Sequence, residues 1–461
     1  MFKRILIANR GEIAVRIVRA CREMGIESVA VYSDVDRRAL FVRKADYAYH
    51  IGPAQASESY LNVPKILDVA RRSGAEGIHP GYGFLSENAN FARECEAAGL
   101  KFIGPTAASM EMMGSKTRAR QNMKKAGVPF VPGSERGLES AEAAERLAEQ
   151  IGYPVMLKAA AGGGGKGMRA VYTREDLRSA LDSAQSEAQR AFGDNEVYIE
   201  KLIVNPHHIE FQIVADNYGN TVHLGERDCS IQRRNQKVIE ECPSPLLTPA
   251  LRKRMGQAAV KLAQSVGYVN AGTMEFLVDQ KGTYYFIEMN TRIQVEHTIT
   301  EEVYGCDLVK EQIHIAAGDR LSPHVARPLA RSHAIQCRIN AEDPARNFQP
   351  SAGRINFYYA PGGRGVRIDS HAYTGYIVPP NYDSMIAKLI AVGATRESAI
   401  ARMRRALGEY LITGIKTTIP FHNAIMRNAD FRNGHYDTGF VDRMMNSETF
   451  ELRPSNGRLT D

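Results

Sequence analysis

The first hundred or so residues alternate several times between a short apolar segment and a longer amphipathic one. The amphipathic patterns end at glycines, with Gly25 after EIAVRIVRACREM and Gly74 after YLNVPKILDVARRS. Strands separated by helices predict a parallel sheet covered by helices, which is a Rossmann-like unit. Its first turn, ANRGEIA, lacks the glycines of a dinucleotide-binding fold. The apolar segments are RILIA, ESVAVYS, DYAYHIG, EGIHP and KFIGP.

Length and composition indicate a globular protein large enough to be an enzyme with several domains. The chain has 461 residues, of which 44% are hydrophobic and 24% are charged. The net charge of +7 is spread along the chain without a polybasic tail, so nucleic acid is not an expected partner. No signal peptide or apolar membrane span is apparent in the sequence, so no membrane association is expected. The six cysteines are widely spaced without a C-x-x-C pair, which favours a reducing compartment such as the cytoplasm.

Further along the chain, helix signals alternate with strand signals. Thr173 is predicted to cap a helix, with Asp176 completing a capping box, and Thr248 with Pro249 is predicted to open another. SKTRARQNMKKAG is also predicted to be a helix, and HIEFQIVA and TVHLGE are predicted to be strands. From about Arg331 the pattern changes to short strands and turns with one late helix, TRESAIARMRRALGEYLITG. The last residues, SETFELRPSNGRLTD, are predicted to form a frayed tail.

One predicted hairpin carries an unusual set of polar residues. If Val278 pairs with Thr283 across the turn DQKG, Glu275 opposes Phe286 and lies diagonal to Glu288 on one face. Two carboxylates so placed are unfavourable without a cation, and with an amide oxygen they would suit Mg²⁺. The even positions then continue the same polar face along a predicted strand, and the alternative is a solvated strand face. These positions are Glu288, Asn290, Arg292, Gln294 and Glu296.

A glycine-rich segment, YPVMLKAAAGGGGKGMRAV, separates two strand-like runs. Glycines let backbone N–H groups approach phosphate oxygens, and Lys158 and Lys166 add positive charge. The stretch from Gly162 to Gly167 satisfies G-x-G-x-x-G, but a predicted strand follows it rather than a helix, so it does not fit the Rossmann dinucleotide motif. It does not fit a Walker A loop either, because Gly167 occupies the Ser/Thr position. The segment is predicted to be a phosphate-covering lid, with a flexible hairpin as the alternative.

A basic run, ERDCSIQRRNQKVIEE, places Arg227, Arg233, Arg234 and Lys237 close together. Such a run is usually an ion-paired or solvated face, and Glu226, Asp228, Glu240 and Glu241 are its candidate partners. The adjacent pair His207 and His208 is predicted to point in opposite directions on a strand, so it would not chelate one metal ion.

Seven stretches together resemble biotin carboxylases, which are ATP-grasp enzymes found in biotin-dependent carboxylases. The resemblance extends from about residue 2 to residue 445. It implies an ATP-dependent ligase that carboxylates biotin on a separate carrier protein from bicarbonate, through carboxyphosphate, as part of an acetyl-CoA or pyruvate carboxylase. The stretches are IANRGEIA, HPGYGFLSEN, MGSK, GYPVMLKAAAGGGGKGM, GERDCSIQRRNQK, FIEMNTRIQVEHTITE and RINAEDP.

The resemblance also implies the domain organisation and a fold class of α/β plus α+β. A Rossmann-like (pre-ATP-grasp) domain is expected over residues 1–113, and an ATP-grasp domain over 114–330 with a mobile glycine-rich lid at about 130–203. A mixed α/β C-terminal domain is expected over 331–446, followed by a tail at 447–461.

Residue by residue, the resemblance assigns a nucleotide site and a metal site. Adenine would lie against the hinge that starts at Glu200, while Lys116 and Lys158 would approach the phosphates. Glu275, Glu288 and Asn290 would hold Mg²⁺ or Mn²⁺. The residues assigned to ATP are Lys116, Lys158, Gly164, Gly165, Glu200, Lys201, Leu202, Ile203, His208, Gln232, Asn235, Glu275 and Glu288.

For the chemistry, the resemblance implies four catalytic residues, Lys237, Arg292, Glu296 and Arg338. Glu296 would remove the proton of bicarbonate, and Arg338 would bind biotin and stabilise its enolate-like oxygen. The residues that would hold bicarbonate are Lys237, Arg292, Gln294, Val295 and Glu296.

The sequence departs from the family pattern at two positions. Asn235 stands where many relatives have histidine, and its amide can bond a ribose hydroxyl but cannot titrate near neutrality. Arg19 and Glu23 match a dimer surface, although Arg364 replaces an aromatic residue there, and a homodimer is expected. The other expected partners are a biotin carboxyl carrier protein and a carboxyltransferase subunit.

No stretch of the chain resembles the Ala-Met-Lys-Met setting of a biotinylated lysine, and the nearest, at Met123 and Lys124, lies in a predicted helix. The competing hypotheses are a different ATP-grasp ligase, which joins a carboxylate to an amine, and a non-enzymatic nucleotide- or nucleic-acid-binding module. The other ligase does not need Arg292, Gln294, Glu296 and Arg338 together, and the binding module needs neither paired metal carboxylates nor a base.

Overall fold

The structure is a computed structural model that describes residues 1–114, 123–124, 127–134, 137–138, 140–159, 167–447 and 451–452. Most of the predicted helix SKTRARQNMKKAG and most of the predicted C-terminal tail lie outside these residues. In the part of the chain that is described, no helix combines the length and the apolar character needed to cross a bilayer.

The N-terminal strands form a five-stranded parallel sheet in the order β3-β2-β1-β4-β5, as the alternating pattern predicts. Gly74 ends the third helix in the left-handed conformation, and Gly25 adopts a positive φ directly after the C-cap of the first. The strands are β1 Arg4–Ile7, β2 Glu27–Ser33, β3 Tyr47–Gly52, β4 Gly77–His79 and β5 Lys101–Phe102. The helices are α1 Gly11–Glu23, α2 Leu40–Lys44, α3 Val63–Ser73, α4 Ala89–Ala97 and α5 Ala107–Gly114.

A small antiparallel sheet, in the order β7-β6-β8, follows with two helices packed on it. Thr173 is the N-cap of the second helix, but the predicted capping box is wrong. Its hydroxyl donates to Asp176 Oδ2 at 2.9 Å instead of accepting from the helix backbone. The elements are α6 Ala141–Ile151, β6 Val155–Ala159, β7 Met168–Val171, α7 Arg174–Phe192 and β8 Val197–Lys201.

An eight-stranded antiparallel sheet, in the order β13-β12-β9-β10-β11-β14-β21-β19, forms the largest element. It continues across the expected domain boundary at residue 331, because β11 pairs with β14. Strands from both regions therefore build one surface. They are β9 His207–Ala215, β10 Thr221–Arg233, β11 Gln236–Cys242, β12 Asn270–Val278, β13 Tyr284–Asn290, β14 His333–Asn340, β19 Val366–Ser370 and β21 Met385–Gly393.

Helices and short strand pairs complete the fold. Thr248 caps its predicted helix by accepting from the Leu251 backbone, and the late helix begins with a capping box at Thr395. The helices are α8 Pro249–Ser265, α9 His297–Tyr304, α10 Leu308–Ala316, α11 Pro323–Ala326, α12 Arg396–Glu409, α13 Ile419–Arg427, α14 Ala429–Asn433 and α15 Phe440–Met445. The two-stranded pairs join β15 Glu342–Asp343 to β16 Gln349–Pro350, β17 Gly353–Arg354 to β20 Ile377–Val378, and β18 Phe357–Tyr359 to β22 Leu411–Thr413.

Glu301 on α9 connects the N-terminal region to the large sheet. Its carboxylate lies 2.8 Å from Arg16 of α1 and 2.8 Å from Arg367 of β19. Burial by itself would raise the pKa of Glu301, but the two guanidinium groups lower it to about 2. The ionised carboxylate therefore favours the folded state.

We expect Glu301→Gln to destabilise the fold in a pH-dependent way. The folded-state pKa is depressed, so the stabilisation is present above the unfolded pKa of 4.5 and is lost as pH falls towards 2. The difference in unfolding free energy from the wild type should be about 3 kcal/mol at neutral pH and should shrink below about pH 4.5. Urea unfolding across this range measures it. Glu302→Gln, at a partly exposed neighbour, is the control; a pH-independent difference for Glu301→Gln would contradict the prediction.

Candidate active site

The predicted site residues that the structure describes all line one cavity of about 1460 Å³. Lys116, Gly164 and Gly165 lie outside the described residues. The cavity therefore gathers residues from β6, β8, β9, β10, β11, β12, β13 and β14. The predicted residues lining it are Lys158, Glu200, Lys201, Leu202, Ile203, His208, Gln232, Asn235, Lys237, Glu275, Glu288, Asn290, Arg292, Gln294, Val295, Glu296 and Arg338.

The register predicted for the hairpin of β12 and β13 is wrong. Val278 pairs with Tyr284 rather than Thr283, and an irregularity between Glu275 and Phe276 shifts the pairing further. Glu275 therefore opposes Glu288 directly instead of diagonally. The sequence could not predict the extra residue, because a bulge has no strong local signature. Its effect is to bring the two carboxylates closer than predicted.

The polar alternation after Asn290 is also not a strand. β13 ends at Asn290, the chain turns irregularly, and α9 begins at His297 with Glu296 as its N-cap residue. Arg292, Gln294 and Glu296 therefore reach the cavity from a turn and not from one strand face. The polar residues are regularly spaced in the sequence, but they lie along a turn of the chain that lines the cavity.

Glu275, Glu288 and Asn290 form a set of oxygen donors suited to Mg²⁺. The Asn290 amide donates to Glu275 Oε1 at 2.8 Å. The surrounding protein and the charge of Glu275 raise the pKa of Glu288, which makes no ion pair with any described cation. Hard carboxylate and amide oxygens are the ligands that Mg²⁺ prefers, so the residues fit this ion.

Lys237 lies at the centre of an acidic cluster. Its ammonium is 2.5 Å from Glu210 Oε2, 2.8 Å from Glu275 Oε1 and 2.9 Å from Glu296 Oε1. Burial alone would lower the pKa of Lys237, but the three carboxylates hold it well above its usual value. Lys237 is therefore a fixed positive charge that faces the proposed base.

Arg227, predicted to belong to an ion-paired or solvated face, is instead fully buried. Its partner is Glu210 at 2.5 Å and none of the four acidic residues predicted from the sequence. Its remaining donors bond Gln212, Gln294, Thr273 and Thr300. The guanidinium thus fixes the Gln294 side-chain oxygen, and the Gln294 amide donates to Glu275 at 2.8 Å.

We expect Arg227→Met to destabilise the fold by about 3–5 kcal/mol, because it leaves Glu210 less compensated and several side chains without a donor. Chemical unfolding measures the loss. Arg234→Met is the control, since Arg234 is exposed at the end of the same strand pair and should change the unfolding free energy by about 0.5 kcal/mol or less. Equal stability of the two variants would contradict the prediction.

The other predicted partners of the basic run also have different roles. Glu226 pairs with Arg252 at 2.8 Å, and Glu241 pairs with Arg396 at 2.7 Å. Glu240 binds Arg338 Nε at 2.5 Å. These contacts join a strand to a helix or to another strand 26 to 155 residues away in sequence, so the local charge pattern could not predict them.

Glu296 lies between two cations. Arg338 Nη2 donates to its Oε2 at 3.0 Å, and Lys237 Nζ donates to its Oε1 at 2.9 Å. Burial would raise the pKa of Glu296, but Lys237, Arg338 and Arg227 hold it far below its usual range. The carboxylate is therefore ionised at any working pH and is able to accept a proton.

Arg292 is held by the side chains of Glu87 and Asn290. Its Nε donates to Glu87 Oε2 at 2.9 Å, and its Nη2 donates to Asn290 Oδ1 at 2.8 Å. The Thr291 N–H donates to the other Glu87 oxygen at 3.1 Å. Glu87 thus connects the N-terminal domain to the turn.

At the end of the cavity that is predicted to bind the nucleotide, Lys158 and Glu200 form an ion pair at 2.6 Å. Lys201 donates to the carbonyls of Gly152 and Tyr153, so its ammonium is tied to a neighbouring segment.

The two histidines of β9 point in opposite directions, as predicted from strand geometry. His207 Nδ1 lies 3.6 Å from Asp228, whereas His208 Nε2 lies 2.9 Å from Glu275 and its Nδ1 is 3.0 Å from Gln232. His208 alone faces the cavity.

Asn235 occupies the hairpin turn between β10 and β11. Arg233 pairs with Gln236, and both loop residues between them have positive φ, 50° at Arg234 and 62° at Asn235. Asparagine is among the residues that adopt this conformation most readily. Its presence here therefore has a backbone reason in addition to any contact with ribose.

Comparisons with known proteins decide the family. Residues 1–110 match the family model of the biotin carboxylase N-terminal domain, 115–324 the carbamoyl-phosphate synthase L chain ATP-binding domain, and 336–443 the biotin carboxylase C-terminal domain. The chain is 58% identical to the biotin carboxylase of Nostoc over 443 residues, which is 96% of this chain and 99% of that protein. The chain belongs to the biotin carboxylase family.

Relatives within the family serve different carboxylases. A pyruvate carboxylase subunit of Methanothermobacter thermautotrophicus is 57% identical over 453 residues, 98% of this chain and 92% of that protein. The biotin carboxylase domain dimer of Hydrogenobacter thermophilus 2-oxoglutarate carboxylase, solved with MgADP, ADP and bicarbonate, superimposes with a TM-score of 0.92 at 52% identity, covering 96% and 98% of the chains. Membership of the family confirms the resemblance, the mixed α/β fold and the class of ATP-dependent ligase.

Sequence reasoning did not find several residues that lie at the candidate active site of this chain. Glu87, Glu210, Glu240 and Lys388 each contact a predicted site residue, at sequence distances of 27 to 205 residues. Glu210, Glu240 and Lys388 lie outside the seven stretches that resemble biotin carboxylases. Glu87 lies within one of them, HPGYGFLSEN, but no residue pattern around it indicates a chemical role. The sequence predicts Glu240 only as an ion-pair partner of the basic run.

Proposed function

We propose that this chain carboxylates biotin on a separate carrier protein, using ATP and bicarbonate through carboxyphosphate. The observation that carries the proposal is the position of Glu296 between Lys237 and Arg338 in the same cavity as the Glu275–Glu288 pair. A carboxylic base, an anion-binding cation and a metal-binding pair are the groups that this reaction needs. A ligase that joins a carboxylate to an amine has no use for Glu296 and Arg338 together.

In the proposed reaction, bicarbonate binds between Lys237, Arg292, Gln294 and the Val295 backbone, with its hydroxyl towards Glu296. Glu296 takes the proton, and the oxyanion attacks the γ-phosphate of ATP to give ADP and carboxyphosphate. Carboxyphosphate then breaks down to CO₂ and phosphate, and the phosphate removes the N–H proton of biotin. Arg338 stabilises the enolate-like oxygen while the biotin nitrogen attacks CO₂.

The remaining nucleotide residues have binding roles in this proposal. Lys116 and Lys158 would contact the phosphates, Gly164 and Gly165 would cover them, and His208, Gln232 and Asn235 would contact the nucleoside. Glu275, Glu288 and Asn290 would hold Mg²⁺ or Mn²⁺, which would neutralise phosphate charge when bound.

We further propose the domain division given above, at residues 113, 330 and 446, with the lid at about 130–203. The proposed partners are a biotin carboxyl carrier protein, a second copy of the chain and a carboxyltransferase subunit. Support for the dimer is the relative solved as a dimer. Glu23, one of the residues that match the dimer surface, binds Lys310 of the same chain at 2.6 Å. All six cysteines are free, which supports a reducing compartment such as the cytoplasm.

We expect the purified chain to carry no covalent biotin, and an avidin blot should therefore be negative. Hydrolysis of ATP should nevertheless depend on bicarbonate and Mg²⁺, and free biotin at high concentration should stimulate it, because the high effective concentration of a tethered carrier is absent. Phosphate release with and without bicarbonate and biotin measures both effects. A biotinylated chain, or ATP hydrolysis that is indifferent to both compounds, would overturn the proposed function.

A further inference from the structure

A fully buried lysine lies directly behind the proposed bicarbonate site. Lys388 on β21 is 0% exposed and pairs directly with Arg338 of β14 and with Asp369 of β19. Residues directly opposite in antiparallel strands project from the same face of a sheet, so Arg338 and Lys388 are neighbouring cations. Such an arrangement is unfavourable unless each cation has its own partners. The proposed reaction uses Arg338 but leaves Lys388 without a role.

The partners of Lys388 connect three parts of the molecule. Its ammonium lies 3.0 Å from Glu12 Oε1 on α1 and 3.9 Å from Asp369 Oδ2 on β19. It also donates to the Val295 carbonyl at 3.0 Å. The lysine therefore joins the N-terminal domain and the large sheet to the turn that carries Gln294 and Glu296. A lysine that served only to pair with Glu12 would not need the contact with Val295.

The backbone of the turn from Gln294 to Glu296 belongs to no helix or strand. The Gln294 carbonyl accepts from the His297 N–H at 3.3 Å and lies 2.7 Å from His297 Nδ1, and the Glu296 carbonyl accepts from the Ile299 N–H at 3.3 Å. Between them, the Val295 carbonyl is held by Lys388. The Val295 N–H donates a hydrogen bond to no acceptor among the described residues. Val295 also lines the cavity. With the carbonyl on one side of Val295 tied to Lys388, the free N–H on its other side is available to an anion in the cavity.

We propose that Lys388 is a positioning residue for bicarbonate, which holds the Val295 carbonyl and so orients the backbone N–H and the neighbouring base towards the anion. The inference rests on the proposed function. An N–H bond to an anion is sensitive to direction and distance, and a displacement of about 1 Å in such a site can cost about 100-fold in rate. The residue acts through the backbone and does not itself touch bicarbonate.

The role of Lys388 can be separated from that of its ion pairs by removing both charges. Lys388→Met alone would leave the buried Glu12 without its cation, so the informative protein is the double variant Glu12→Gln/Lys388→Met. Glu12→Gln is the reference, because it keeps the bond from Lys388 to Val295. Asp369→Asn is the second control, since it changes the same charged cluster at a residue that does not contact the turn.

The experiment measures KM for bicarbonate and KM for ATP separately, in ATP cleavage stimulated by free biotin, with thermal unfolding of each variant. For the double variant, KM for bicarbonate should rise at least about 10-fold over Glu12→Gln, while KM for ATP stays within about 2-fold. Glu12→Gln and Asp369→Asn should keep both constants within about 2-fold of the wild type. Glu12→Gln/Lys388→Arg, which restores a donor near Val295, should recover part of the lost affinity for bicarbonate.

A folded double variant with an unchanged KM for bicarbonate would overturn the inference, and so would a parallel rise of both constants, which indicates a structural role. If the methionine double variant does not fold, Glu12→Gln/Lys388→Gln takes its place, and failure of both to fold assigns Lys388 to folding and overturns the inference. A wild-type chain without bicarbonate-dependent ATP cleavage would instead overturn the proposed function. The two failures are therefore distinguishable.

Discussion

Glu296→Gln is expected to lower bicarbonate-dependent ATP cleavage by about 10²–10⁴-fold while leaving ATP binding nearly unchanged. The amide preserves the shape of the side chain but cannot accept the proton of bicarbonate. The variant should still fold, because Lys237 retains its ion pairs with Glu210 and Glu275. Arg338 likewise retains its ion pair with Glu240. The loss should therefore appear in kcat rather than in stability.

The measurement is steady-state phosphate release with saturating bicarbonate, together with a nucleotide-binding titration. Glu302→Gln is the matched control, since it makes the same chemical change on α9 at a residue that does not line the cavity. Turnover of Glu296→Gln within a few-fold of the control would remove Glu296 from the role of base. A large loss of ATP affinity would instead indicate that Glu296 supports the nucleotide site.

The same carboxylate shows how far sequence reasoning could reach and where it stopped. Glu296 could be placed at the site because the motif FIEMNTRIQVEHTITE is specific, whereas the alternation of polar residues alone also fits a solvated strand face. Its surroundings could not be predicted, since Lys237 and Arg338 lie on strands 59 and 42 residues away in sequence. The chain turns after Asn290, so the strand geometry assumed for Arg292 and Gln294 did not apply.

The fold was more predictable than the contacts within it. Periodicity and glycine punctuation are local properties, and they were sufficient for the parallel sheet from β1 to β5 and for the helix that begins after Thr248. Burial depends on the whole fold, and Arg227 illustrates the difference. Its local charge pattern is that of a surface run, but β10 passes through the middle of the eight-stranded sheet, where the guanidinium becomes fully buried.

Arg338→Ala is expected to reduce biotin carboxylation more strongly than ATP cleavage, because the proposed charge acts on the enolate-like oxygen after carboxyphosphate has formed. Removal of one such electrostatic group typically costs about 10²–10³-fold. Arg338 also donates to Glu296, so some loss of ATP cleavage is expected as well. The loss should be smaller, since Lys237 continues to bond the base.

The substitution leaves Glu240, which is fully buried, without its guanidinium partner. Arg338→Ala is therefore compared with Glu240→Gln/Arg338→Ala, in which the unpaired buried charge is removed, and with Glu240→Gln alone. Carboxybiotin formation from free biotin and phosphate release are measured in the same reaction. If Arg338 acts on biotin, carboxylation per ATP cleaved should fall in both proteins that lack Arg338 and stay near the wild-type ratio in Glu240→Gln. An equal fall in carboxylation and ATP cleavage would place the action of Arg338 before carboxyphosphate breaks down, or assign it to structure.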